Sequence, residues 1–310
     1  HQQTWRLLSV CYGRVLDTIS DDDLLELLAA LNGLTDGIFS TIEILSMRFF
    51  TEKGSNYSPS DDLRSVGRQA ILKLLSMHRD EISRQQLHGM DRVIAECLSE
   101  PAPKNEIRDI INLLCSGVET YRLYGFELET VIAYLVKKYP EFVLDRVLID
   151  SENSEQLIYL LFKDRVHRSS SPLNLAPIER VLNWCNGNQD RIHKVAGAVS
   201  AYTSLDKESQ PLDNPKKLVL SHHITSLLDA AENKVAIVET IFSRSFPSGW
   251  SGSLADILEV RSEAFADLLN HVSPEVREIA RTKLSLLNRS IRENREREAE
   301  EYNRREQRFE

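Results

Sequence analysis

The first residues in this chain with a spacing that suits chemistry are Gly249-Trp250-Ser251-Gly252-Ser253. A serine nucleophile in a G-x-S-x-G elbow needs a strand before it and a helix after it, so that its hydroxyl is exposed on a strained turn. Here Ser253 stands where the closing glycine belongs and no apolar strand precedes, which argues against a hydrolase. The segment reads instead as a tight turn running into a helix: the two glycines allow unusual backbone angles, Ser251 or Ser253 caps, and Asp256 sits in the first turn. Trp250 at the tip is either packed inside or part of a binding surface. His222-His223 would need further ligands at helical spacing to hold a metal, HExxH is absent, and neighbouring helix positions diverge by about 100°. The acid clusters Asp21-Asp22-Asp23 and Asp61-Asp62 follow Ser20 and Ser60, where capping accounts for them. Neither GxxxxGK[ST] nor GxGxxG occurs. No catalytic residue, no metal site and no cofactor is expected, and any catalytic domain would lie upstream of this segment.

The elements that hold these residues read as helices. Apolar residues recur three or four apart in every segment, as in Trp5, Leu8, Tyr12, Val15, Leu16 and Ile19, while alternating strand patterns are nearly absent. Asn32-Gly33 supplies a stop. Further helices read at about 38–52, 80–99, 104–118, 127–138, 141–149, 154–166, 177–186, 189–203, 215–230, 234–244, 252–270, 274–287 and from 289 onwards. The stretch Ser273-Pro274-Glu275-Val276-Arg277 with Ala280 and Leu284 returns at Leu63-Arg64, Ile107-Arg108 and Ile192-His193, with two weaker copies near Ile149 and at Val235-Ala236. The apolar anchors at 63, 107, 192 and 276 are separated by 44, 85 and 84 residues, the last two near twice 42. Such a period marks stacked helical pairs. The expected fold is therefore all-α, a right-handed α-solenoid of six to seven antiparallel pairs. Residues 1–288 form one array, with a possible subdomain edge near 205–215, and an Arg/Glu-rich capping helix follows over 289–310. Arg64, Arg108 and Arg277 are expected to form a structural ladder, each bonded to acids or carbonyl ends of neighbouring elements.

Composition limits the function. The 310 residues carry a formal charge of −9, all of it in residues 1–288, because the last 22 hold seven Arg against seven Glu. An acidic whole argues against nucleic acid as the partner. Cys11, Cys97, Cys115 and Cys185 show no CxxC pair and read as reduced thiols. No apolar run is long enough to span a bilayer and no signal peptide opens the chain, so a soluble, cytoplasmic protein is expected. The chain begins with His1 rather than Met, which reads as a cut through a longer polypeptide or a tag remnant.

Val276-Arg277 with Ala280 and Leu284 resembles the inner-helix signature of HEAT-like repeats. A longer run, Trp184-Cys185, Asp190-Arg191-Ile192, Phe246 to Ser253, Arg261, His271 to Arg277, the Arg/Glu-rich helix and Phe309-Glu310, resembles the terminal arrays of bacterial multidomain NTPases of the STAND or NLR-like kind and related antiphage defence proteins. The resemblance implies a non-enzymatic recognition or regulatory array, joined to an effector domain in the same polypeptide and triggered by a protein partner, such as a phage-derived protein. Trp184, Trp250 and Arg261 are the candidate partner-binding residues, with burial of the tryptophans between repeats as the alternative. Two other classes remain open: a HEAT-like array acting on nucleic acid, as some glycosylases do, and an oligomerisation scaffold built on the Arg/Glu helix.

Overall fold

The computed structural model describes residues 16, 18–31, 37–50, 57–77, 89–99, 102–125, 127–162, 171–204, 217–247 and 249–307. The expected helix through Trp5 and Tyr12, the Asn32-Gly33 stop, Cys11 and the subdomain edge at 205–215 lie outside the described residues. Regular structure among those described is almost entirely helical, and the chain divides into two compact units, residues 1–161 and 162–310. No helix among the described residues is long and apolar enough to cross a membrane.

The first unit contains α1 (Asp21–Leu31), α2 (Gly37–Arg48), α3 (Asp61–Ser76), α4 (Met90–Cys97), α5 (Lys104–Glu119), α6 (Glu129–Lys138), α7 (Pro140–Leu144) and α8 (Ser154–Phe162), with one π-turn segment at Asp145–Ile149. Ser60 caps α3 as its position before two acids predicts, its Oγ accepting from the Leu63 amide at 3.2 Å. Leu24, Leu28 and Leu31 on α1, Ile42 and Leu45 on α2, and Leu63, Ile71 and Leu74 on α3 recur at helical spacing and are all buried. Gly67 occupies the site where α3 meets α4: a Cβ there would lie 2.2 Å from Cys97 Sγ. The repeat signature has Ala at this register and this copy has Gly, and the close approach supplies the reason.

In the second unit, a 3₁₀ turn (Pro172–Leu175) precedes the pair α9 (Ile178–Cys185) and α10 (Gln189–Ala198). A short antiparallel ribbon follows, β1 (Tyr202–Ser204) with β2 (Leu218–Leu220). Then come α11 (His222–Ala230), α12 (Lys234–Ser243), α13 (Leu254–Ala266), a 3₁₀ turn (Asp267–Asn270) and α14 (Pro274–Glu306). Asn186 and Gly187, both at positive φ, end α9, and Asn188 at once caps α10 through Oδ1 and the Arg191 amide. Two expected boundaries differ. The helices read at 189–203 and 215–230 stop at Ala198 and start at His222, where a buried serine relay bonds Ser200 and Ser221. Ser171 N–H donates to Ser200 Oγ at 2.6 Å, Ser221 Oγ donates to the Ser200 carbonyl at 2.6 Å, and Ser221 Oγ caps α11. The helices read at 274–287 and from 289 are one continuous helix, and the expected edge at 288 falls inside it. Nothing in Leu286-Leu287-Asn288-Arg289 breaks a helix, and Leu287 and Ile291 are both buried.

Candidate recognition surface at the start of α13

The turn Phe246–Ser253 and the tail of α14 come together at the N-terminus of α13. Ser253 caps that helix, its Oγ accepting from the Asp256 amide at 3.1 Å, with Gly252 just before it at φ +80°. The same hydroxyl donates to Glu298 Oε2 at 2.7 Å, while Glu298 Oε1 accepts from the Leu254 and Ala255 amides at 2.8 and 3.3 Å. A carboxylate from the last helix thus fills the positive end of α13. Its desolvation acts to raise the Glu298 carboxyl, but the Ser253 hydroxyl and the two amides outweigh it and hold the group below its ordinary range. Arg295, one turn earlier, pairs with Glu259 on α13 and lies 3.9 Å from Asp256. Ile291, buried against Ala255 and Leu258, completes the seam.

Around this clamp large side chains face solvent. Trp250 is 51% exposed, Phe246 40% and Tyr302 62%. Tyr302 lies four positions beyond Glu298, about 6 Å further along the helix axis. Trp250 lies three residues before the serine that Glu298 holds. Behind the turn, Phe246 is edge-on to Phe242, whose ring also meets Phe265.

Arg261 sits under the turn rather than on its surface. Its Nη1 donates to the carbonyls of Arg244 and Ser245 at 3.1 Å each, and its guanidinium lies 5.9 Å from the Tyr202 ring. Tyr202 Oη in turn shares a 2.6 Å hydrogen bond with Ser245 Oγ. These contacts bond Arg261 to the exit of α12. Trp184 also differs from the expectation of a partner-binding residue. It is 7% exposed, with the Arg191 guanidinium 4.6 Å over its ring and Arg191 Nη1 bonded to its carbonyl at 2.7 Å. It is a staple of the α9–α10 pair. Of the three candidates, only Trp250 is presented to solvent.

The arginines named for a ladder are placed as follows. Arg277 donates to the His271 and Val272 carbonyls at 2.7 and 2.9 Å. Arg64 reaches Ser58 Oγ and Asp61, both close in sequence, and Arg108 lies 4.8 Å over the Phe142 ring. Hydrogen-bonded ties between distant elements come from other arginines, which the sequence reading did not single out. Arg48 holds the Leu16 and Ile19 carbonyls, Arg68 the Cys97 carbonyl and Glu106, Arg122 the Leu75 and Met77 carbonyls, and Arg244 the Val199 carbonyl. Most of these acceptors are at or just past helix C-termini, where unpaired carbonyls gather and a cation is favoured.

Other groups with reactive potential have structural bonds. His223 is buried with Nε2 2.8 Å from the Ala176 carbonyl, which requires the Nε2–H tautomer; burial lowers its pKa below the ordinary imidazole value. Burial pushes the Cys97 and Cys115 thiols up to about 12 and Cys185 to about 11, far from a reactive thiolate. No group of three or more His, Cys, Asp or Glu that could hold a metal occurs among the described residues. Phe246, Glu298 and Tyr302 are the surface residues that sequence reasoning missed as a site. Phe246 and Tyr302 were visible as apolar residues beside the turn and in the charged tail, whereas nothing in the sequence marks Glu298. Comparison with known protein families, curated proteins and solved structures finds no match to this chain.

Proposed function

We propose that this chain is a non-enzymatic recognition module, a HEAT-like α-solenoid that binds a protein partner through the surface around Trp250. The observation that carries the reading is the exposure of Phe246 and Trp250 on a turn whose entry is bonded by Arg261 and whose exit is bonded by Glu298, with Tyr302 exposed on the same helix as Glu298. Exposed aromatic side chains on a rigid support are the usual anchors of protein interfaces, with tryptophan and tyrosine foremost. The repeat spacing supports a right-handed stack of six to seven pairs. The resemblance of the turn and tail to terminal arrays of bacterial defence proteins supports a cytoplasmic role, in which a phage-derived or host protein is the trigger and an effector elsewhere in the polypeptide responds. The acidic net charge supports a protein partner over nucleic acid.

Site-specific photocrosslinking in the full-length protein tests this. A crosslinking phenylalanine analogue at position 250 should give one discrete protein adduct in cells exposed to the trigger, and the same group at Tyr159, in the other unit, should not. Trp250→Ala should abolish the response and leave the melting temperature within about a degree, as expected for a surface change. Arg261→Ala should instead lower the melting temperature, because it frees two carbonyls. No adduct at 250, or an unimpaired response in Trp250→Ala, removes this surface from consideration.

A further inference from the structure

α14 turns a long polar side to solvent. Val276, Ala280, Leu287 and Ile291 are buried on the side that packs on α13, and Lys283 pairs with Glu239 of α12 at 3.0 Å. Away from both contacts, Ser285, Arg289, Arg292, Glu296, Glu300 and Asn303 follow one another at intervals of three or four residues, and all are exposed. At 3.6 residues per turn they share one side of the helix, roughly 160° around from Glu298.

A polar outer face is what the last helix of a repeat stack needs for solubility, and an Arg/Glu helix ordinarily steadies itself by opposite charges four residues apart. On this side only Arg289 follows that rule, pairing with Glu293 at 2.8 Å. Arg292, Glu296 and Glu300 have no ion pair among the described residues. The charges are instead sorted, basic at Arg289 and Arg292 and acidic at Glu296 and Glu300. Like charges three or four apart weaken an isolated helix, so the sorting is a cost that capping alone does not explain.

A second copy of the same helix, running antiparallel, turns that cost into a match. With a two-fold axis crossing the stripe midway between Arg292 and Glu296, Arg289 faces the partner's Glu300 and Arg292 faces the partner's Glu296. Ser285 faces the partner's Asn303, and on one flank Glu293 faces the partner's Arg297. The two-fold repeats every pair, and no like charges along the stripe face each other. A parallel copy in register would set each charge against its own kind. The overlap from Ser285 to Asn303 is about 28 Å of helix.

We propose that two copies of this chain associate through this side of α14, antiparallel and about a two-fold axis. Exposed ion pairs contribute little singly, so the association is modest and sensitive to salt. It uses different residues from the Trp250 surface and stands or falls without it. Sedimentation equilibrium of the full chain tests it: a dimer should populate at roughly 0.2 mM chain in about 50 mM salt, and its dissociation constant should rise about tenfold or more in about 500 mM salt. Arg289→Glu/Arg292→Glu makes the stripe wholly acidic and Glu296→Arg/Glu300→Arg makes it wholly basic. Each variant alone should be monomeric with the parent's melting temperature, and an equimolar mixture of the two should form a heterodimer, a recovery that misfolding would not give. Direction is read by oxidising a mixture of Ser285→Cys and Asn303→Cys copies in a Cys11→Ser background, where Cys97, Cys115 and Cys185 are buried. The disulfide should join 285 to 303. A monomer at low salt, a dimer indifferent to salt, or variants that dimerise alone or stay apart in the mixture overturns the proposal, and preferential joining of 285 to 285 overturns the antiparallel arrangement.

Discussion

At the scale of single residues, close approach and burial decide more than helix propensity does. Gly67 lies inside α3, where alanine would ordinarily favour the helix by about 1 kcal/mol. Its missing Cβ makes room for the buried Cys97 Sγ, which would otherwise be 2.2 Å away. Gly67→Ala is therefore expected to destabilise despite the better propensity, by about 1–3 kcal/mol as for other overpacked cores. Cys97→Ala removes the obstructing sulfur and leaves Leu45 Cδ1 at 3.3 Å as the nearest atom, so the double variant should recover much of the loss. Chemical denaturation of the single and double variants measures both, and a stabilised Gly67→Ala would show that the helices are not this close. His223 gives a residue-scale test of a different kind. Its folded pKa lies below the ordinary 6.5 because burial disfavours the imidazolium, so the unfolded chain takes up the proton first as the pH falls. The neutral ring's contribution is whole above the unfolded value and is lost as the pH drops from there towards the lowered folded value. His223→Gln, which keeps a donor for the Ala176 carbonyl, should flatten the fall in melting temperature between about pH 7.5 and 5.5.

At the scale of elements, the last two helices are joined by a few contacts near the end of the seam. Beyond Ile291, the bonds from Arg295 and Glu298 tie the α14 tail to α13. Glu298→Gln keeps the size and loses the charge at a helix N-terminus, an interaction worth about 1 kcal/mol. The amides of Leu254 and Ala255 should exchange about three to ten times faster in that variant, and unchanged exchange would mean that the carboxylate is not seated there. Because the folded-state pKa of Glu298 is lowered, its contribution is whole above the ordinary carboxylate value of 4.5 and fades as the pH falls below it. The clamp also shows what the sequence could reveal. Ser20, Ser60 and Ser253 were legible as caps because each hydroxyl and the amide that donates to it lie within three residues. Arg277 is also bonded locally, its carbonyl partners being five and six residues away. The acceptors of Arg122 and Arg244 are 45 to 47 residues away and the donors to Glu298 are 43 to 45, so no local pattern could announce them. The ribbon was missed because each strand has only three residues, too few for alternation to stand out beside helical periodicity.

At the scale of the whole molecule, the helical nature of the chain was legible because the 3.6-residue period runs through nearly every segment, whereas its division into two units was not. A division depends on which helices bury one another, and the repeat pattern continues across residue 161 without a change in composition. The second unit supplies its own interior: Val181 and Trp184 from the first pair, Ile224 and Leu227 from α11, Ile237 and Ile241 from α12, and Phe265, Val276 and Ala280 from the last pair. Its ribbon pairs within the unit, the serine relay that precedes α11 closes within it, and Ser253 and Glu298 cap α13 from inside it. At about 150 residues a domain buries roughly 68–70% of the surface that its unfolded chain exposes, which is ample for independent folding. Residues 162–310 expressed alone should therefore be helical and melt in one cooperative transition, with Ala280→Asp lowering the midpoint by about 5 °C or more, since it buries an unpaired charge costing several kcal/mol. A gradual, non-cooperative loss of helix in the isolated segment would mean that its core is completed by residues before 162, and an Ala280→Asp variant that melts with its parent would place Ala280 outside the core of α14.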